Sequence, residues 1–197
     1  MKFMSVLKLV FLSVVILVGL TLLTGEPPKT ITKGEIKLDN LPESVELIGF
    51  DDDIKFTTKS IVKPDSIIYV GNFESIVLAG ELEKRLSLDA GQFIIVSNIS
   101  DAPWFIKKWQ AHKKNTELKG DKHIPWIYDK NGAMRNFLQV PTSDSVKYFV
   151  YYVDTNGLIS KICNGKVKKG TIEGAMSQSE INDNLKSVVE KIRALIK

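Results

Sequence analysis

Residues 66–88 read SIIYVGNFESIVLAGELEKRLSL, and their hydrophobic period changes in mid-course. Ser66 to Gly71 is a short apolar run rich in Ile and Val, which suits a strand buried on both faces. From Phe73 to Leu88 the apolar residues Ile76, Val77, Ala79, Leu82 and Leu86 fall at helical spacing. A strand therefore passes directly into a helix. The alternation continues outward. Gln92 to Ile99 (QFIIVSNI) is a second buried strand, and Asp101 can cap a helix that opens at Ala102-Pro103, where the missing proline N–H would be unpaired in any case. That helix is expected to end at His112, with Phe105 and Trp109 packed inward. Ile124 to Tyr128 is a strand ended by Asp129-Lys130-Asn131-Gly132, and Ala133 to Leu138 makes a short helical or bent connection.

Val146 to Asp154 (VKYFVYYVD) carries aromatic and β-branched residues on both faces, as a central strand covered on each side should. Asp154-Thr155-Asn156-Gly157 then turns tightly, and Leu158 to Cys163 returns as an antiparallel partner. Ser177 and Glu180 form a capping box, after which Ile181, Leu185, Val188, Val189, Ile192 and Leu195 fall on one helical face. Toward the N-terminus, Glu35 to Asp39 and Val45 to Phe50 read as short strands around a Leu41-Pro42 turn. Asp51-Asp52-Asp53 turns the chain toward Ile54 to Thr57. The order predicts an α/β fold: a mixed central sheet flanked by helices, with an N-terminal β-hairpin extension.

Met1 to Lys8 carries two lysines and no acid, and Leu9 to Leu23 is apolar apart from Ser13 and Thr21. A positive start before a short apolar stretch is the layout of an export signal. Pro27-Pro28 follows and cannot continue a helix. Residues 1–25 are thus expected to be a signal peptide or an N-terminal membrane anchor, and residues 26–197 one domain in the periplasm. No cysteine stands near the end of the segment, which argues against a lipoprotein. The 197 residues are 44% hydrophobic, 25% charged and 9% aromatic, enough for one ordinary core. The formal charge of +4 is too small for a general nucleic-acid binder, so no nucleic-acid partner is expected. The charge is uneven. Glu26 to Ala102 holds 8 bases and 14 acids, whereas Pro103 to Gly170 holds 13 and 5.

The order resembles the thioredoxin-like superfamily from about Val45 to Lys197. The local match is Ile124-Pro125-Trp126-Ile127-Tyr128-Asp129-Lys130-Asn131-Gly132, then Val140-Pro141, then Tyr148 to Gly157 and Asn164-Gly165. This layout is similar to TlpA-like and peroxiredoxin-like proteins. It is more similar still to the YtfJ family of exported thioredoxin-fold proteins of unknown function, which share a Pro-Trp before the first Asp-x-x-Gly turn and an Ile-Val-Ser-Asn strand before Asp-Ala. The resemblance implies that strand 66–71 should lead to Cys-x-x-Cys, where a helix N-terminus lowers a thiol pKa. This chain has Asn72-Phe73-Glu74-Ser75 there, and its only cysteine is Cys163. Thiol–disulfide exchange between paired cysteines is therefore not expected.

The vacated corner, Asn72, Phe73, Glu74 and Ser75 with Pro141, is the candidate ligand or partner site, and no catalytic residue is assigned. Cys163 has Lys161, Lys166 and Lys168 nearby but lies in the terminal hairpin, so it reads as an incidental strand cysteine. His112 and His123, separated by a lysine-rich loop, lack the clustered ligands of a zinc site, and Asp51 to Asp53 lacks the glycine and distal glutamate of a calcium loop. No metal and no cofactor is expected. Trp104, Phe105 and Trp109 with Lys107, Lys108, Lys113 and Lys114 read as core aromatics beside a lysine face, a composition also suited to weak contact with an anionic membrane surface. The leading expectation is a non-catalytic binding or accessory module of the bacterial envelope, whose partner is another envelope protein or a small ligand. Two alternatives stand beside it: a lone-thiol redox enzyme using Cys163, and a membrane-attached structural factor.

Overall fold

The computed structural model describes residues 35–50, 54–88, 91–102, 111–141 and 144–196. The expected signal segment, the Asp51–Asp53 turn and the aromatic–lysine stretch from Trp104 to Trp109 lie outside the described residues. Eight strands are described: β1 (Ile36–Lys37), β2 (Ser44–Glu46), β3 (Lys55–Thr57), β4 (Ile67–Gly71), β5 (Phe93–Asn98), β6 (Trp126–Asp129), β7 (Lys147–Val153) and β8 (Leu158–Lys166). The helices are α1 (Thr58–Ile61), α2 (Val77–Leu86), α3 (His112–Lys119), α4 (Ala133–Phe137) and α5 (Gln178–Leu195).

The main sheet has the order β1-β8-β7-β4-β5-β6. β4, β5 and β6 run parallel, as βα connections require, whereas β7 is antiparallel to both β4 and β8. All five residues of β4 and all six of β5 are buried, so the two apolar runs occupy the sheet centre. Their alternation divides the core. Ile67, Tyr69, Phe93 and Ile95 face Leu78 and Leu82 of α2 and Leu185, Val188 and Ile192 of α5. Ile68, Val70, Ile94 and Val96 face Met134 and Leu138, with Ile61 and Val62. A βαβ unit, an antiparallel hairpin and a closing helix give the thioredoxin-like arrangement: a mixed α/β sheet flanked by helices.

Three expectations need correction. The N-terminal hairpin is formed by β2 and β3, paired Ser44 to Thr57 and Glu46 to Lys55. Ile36 and Lys37 instead join the main sheet against Ile159 and Leu158, because Ile36 packs into the second core. The lysine-rich stretch after His112 is helical to Lys119, closed by Gly120 at φ +50° and supported by a Lys114–Glu117 ion pair one turn apart. Finally, α2 starts at Val77 and not at Phe73, since residues 72–75 are held in a hydrogen-bonded turn.

Candidate functional site

Gly71 ends β4 where the chain doubles back: a Cβ there would stand 2.8 Å from the Ile76 Cα and 2.9 Å from the Tyr69 ring. The next four residues build the vacated corner. Asn72 and Ser75 are 1% and 0% exposed, and each polar atom is engaged. The Asn72 N–H donates to Ser75 Oγ at 2.9 Å, and the Ser75 hydroxyl donates to the Lys147 carbonyl at 2.7 Å. Asn72 Nδ2 donates to the Asp144 carbonyl at 2.6 Å, while its Oδ1 accepts from Asn98 Nδ2 at 2.7 Å. Buried Tyr69 donates its hydroxyl to the Ser75 carbonyl at 2.7 Å.

The amides before α2, which in a thiol enzyme of this fold would face the reacting sulfur, are also engaged. The Glu74 and Ser75 N–H groups both donate to the Ser145 carbonyl, at 2.8 and 3.1 Å. Glu74 Oε2 accepts the Ile172 N–H at 3.0 Å. Phe73, half-buried, packs on the first core. Pro141 is exposed after Val140, and the Val140–Pro141 bond is trans. The structure thus brings Asn72, Glu74 and Ser75 into one network with the loop before β7, and none of these contacts includes Pro141. Asn98 and Asp144, which complete that network, are not among the candidates read from the sequence. The signal available was the change from an apolar run to Ser97-Asn98 at the end of a buried strand.

Chemically this corner is a brace. The Ser75 hydroxyl gives its proton to a main-chain carbonyl and, among the described residues, has no basic side chain bonded to it, so it lacks the activation a nucleophile needs. Burial pushes the Tyr69 hydroxyl well above the usual phenol range, helped by the adjoining Tyr148, so it stays a neutral donor. Cys163 pairs with Val150 across β7 and β8, two strands from β4 and outside the hydrogen-bonded corner, though near enough to Tyr69 and Tyr148 to raise both hydroxyls. Burial raises its thiol pKa, and Lys191 offsets this only in part.

The first Asp-x-x-Gly turn is also structural. Asp129 accepts the Met134 and Arg135 N–H groups at 3.2 and 2.8 Å, capping α4, while burial pushes its carboxyl above the ordinary range. In the second turn, Asp154 accepts the Asn156 and Leu158 N–H groups at 2.9 and 2.8 Å. His112 stacks edge-on to Tyr128 at 5.5 Å and His123 is exposed. Among the described residues no three His, Cys, Asp or Glu side chains cluster as metal ligands.

No protein-family model matches the chain, and no curated protein matches it. Two solved structures align with much of the chain. MTB DsbF, in its mixed oxidized and reduced forms, is 15% identical over 79% of this chain and 98% of its own, with a TM-score of 0.44. A secreted Mycobacterium tuberculosis disulfide oxidoreductase homologous to E. coli DsbE is 11% identical over 77% and 94%, with a TM-score of 0.42.

Proposed function

We propose that this chain is a binding or accessory module of the bacterial envelope, similar in kind to the YtfJ family, that uses a thioredoxin-like fold without thiol–disulfide chemistry. One observation carries the reading: at the end of β4, Asn72 and Ser75 form a buried, fully bonded brace, and the single thiol lies elsewhere. Export to the periplasm rests on the charged start and apolar run of residues 1–25, which act as signal peptide or anchor. Among the described residues no helix is long and apolar enough to cross a membrane. The partner is an envelope protein or a small ligand. The corner of Asn72 to Ser75 with Pro141 is one face it would meet, and the lysines around α3 support weak contact with anionic lipid.

The test is turnover. Purified chain given insulin with dithiothreitol, or a peroxide with a thiol reductant, should show no activity above a heat-treated control. Activity that disappears in Cys163→Ser would replace this reading with lone-thiol catalysis. Fractionation of the native host addresses the compartment: the chain should be released with the periplasm or held at the inner membrane, and recovery in the cytosol would refute export.

A further inference from the structure

At the amino end of β6, away from the carboxyl end of β4 where the Asn72 brace lies, the surface holds a cleft of about 230 Å3. Ile48 and Phe50, in the segment after β2, form one wall. Ile48 is held there by its N–H bond to the Trp126 carbonyl at 2.8 Å. The turn after α3 forms the other wall with Lys119, Lys122 and His123, and Trp126 closes the space between. Among the described residues, every ionisable side chain lining the cleft is basic.

Two observations point to an absent anion. Lys119 and Lys122 are half-buried, and among the described residues neither has a carboxylate within ion-pair distance, so their positive field over the cleft is not offset by an acid there. Second, Trp126 is 1% exposed and, among the described residues, its indole N–H has no hydrogen-bond partner. A buried donor left unpaired is unfavourable, and an acceptor that reached it would relieve the cost.

The remaining surface is apolar. Phe50 is 48% exposed, with Lys119 Nζ 5.6 Å from its ring centroid. We infer that this cleft binds a small organic carboxylate with an apolar or aromatic body, its oxygens held by Lys119, Lys122 and the Trp126 indole and its body resting on Ile48 and Phe50. The volume falls below the roughly 300–1,000 Å3 of drug-sized sites, which limits the bound portion to a small acid or the end of a peptide. Both sources present the same carboxylate. The inference concerns different residues from the Asn72 corner and stands or falls apart from it.

The test is a titration of the full-length 15N-labelled chain followed by NMR. The indole N–H peak of Trp126 is identified by its loss in Trp126→Phe. Benzoate represents a free acid, and a tripeptide ending in phenylalanine, with a free or an amidated C-terminus, represents a peptide end. Either carboxylate should shift the Trp126 peak saturably, while benzamide and the amidated tripeptide should not. Lys119→Ala/Lys122→Ala should weaken binding by about tenfold or more with peak dispersion retained, as loss of charge-assisted contacts requires. A shift by neither acid, equal binding of the amides, or unchanged affinity in the lysine variant would overturn the inference. Inorganic phosphate binding as tightly as benzoate would overturn the apolar part.

Discussion

Cys163 and Ser75 occupy the positions where a reader of the sequence looks first for chemistry, and in both the surroundings decide. Burial raises the Cys163 thiol above its ordinary value of 9.0, so little thiolate is present at neutral pH. Iodoacetamide should therefore label the native chain at pH 7.5 far more slowly than the urea-unfolded chain. Labelling at equal rates would show an exposed, ordinary thiol. Ser75 links Asn72 to the Lys147 carbonyl through one buried hydroxyl. Ser75→Ala leaves both groups without that partner and should lower stability by about 1–3 kcal/mol, measured by urea unfolding. The sequence identified Asn72 to Ser75 as the corner to examine, because a strand leading into a helix places them there. It did not identify their role, since their partners Asn98, Asp144 and Lys147 come from strands and loops distant along the chain.

Elements were legible where period and turn chemistry agreed. The Ser177–Glu180 capping box is present, with the Glu180 side chain returning to the Ser177 N–H, and α5 begins at Gln178. The β7–β8 hairpin was expected to return only to Cys163, yet pairing extends to Lys166 opposite Lys147. Gly165 permits the extension, because a Cβ there would run into the Tyr148 ring. Gly165→Ala should accordingly destabilise the hairpin by about 1–3 kcal/mol, the usual range for forcing a methyl into packed surroundings. Calorimetry would record this as a lower Tm, and an unchanged Tm would mean that the ring moves aside freely. The short N-terminal strands lie close to where they were expected, but the partner of the first was not legible for the converse reason: two or three residues carry too little period to specify one.

At the scale of the whole molecule, α2 and α5 are joined by a polar seam over the apolar one. Glu81 bonds Lys84 and Arg85 and accepts from Gln178 of α5, and Arg85 also bonds Asn182. The hydrogen bond from Lys84, with those from Arg85 and Gln178, outweighs burial and holds the Glu81 carboxyl at about 2, against an ordinary 4.5. A carboxyl lowered on folding stabilises the native state above its unfolded value. That contribution is lost as pH falls from about 4.5 toward 2. Thermal melts between pH 2 and 6 should show Glu81→Gln less stable than the parent at pH 6 and a smaller loss on acidification. Parallel curves for the two proteins would remove Glu81 from the acid response.

The sequence alone determined the alternation of buried strands and amphipathic helices, the capping box, the two Asp-x-x-Gly turns and the absence of a second thiol. Each is either local or a matter of composition. Only the tertiary structure decided that β1 joins the main sheet, that Asn72 and Ser75 brace the end of β4, and that Lys119, Lys122 and Trp126 share a cleft with Phe50. The reason is physical. Period and propensity act over a few residues, whereas the pairing of buried polar groups depends on which distant segments packing brings together.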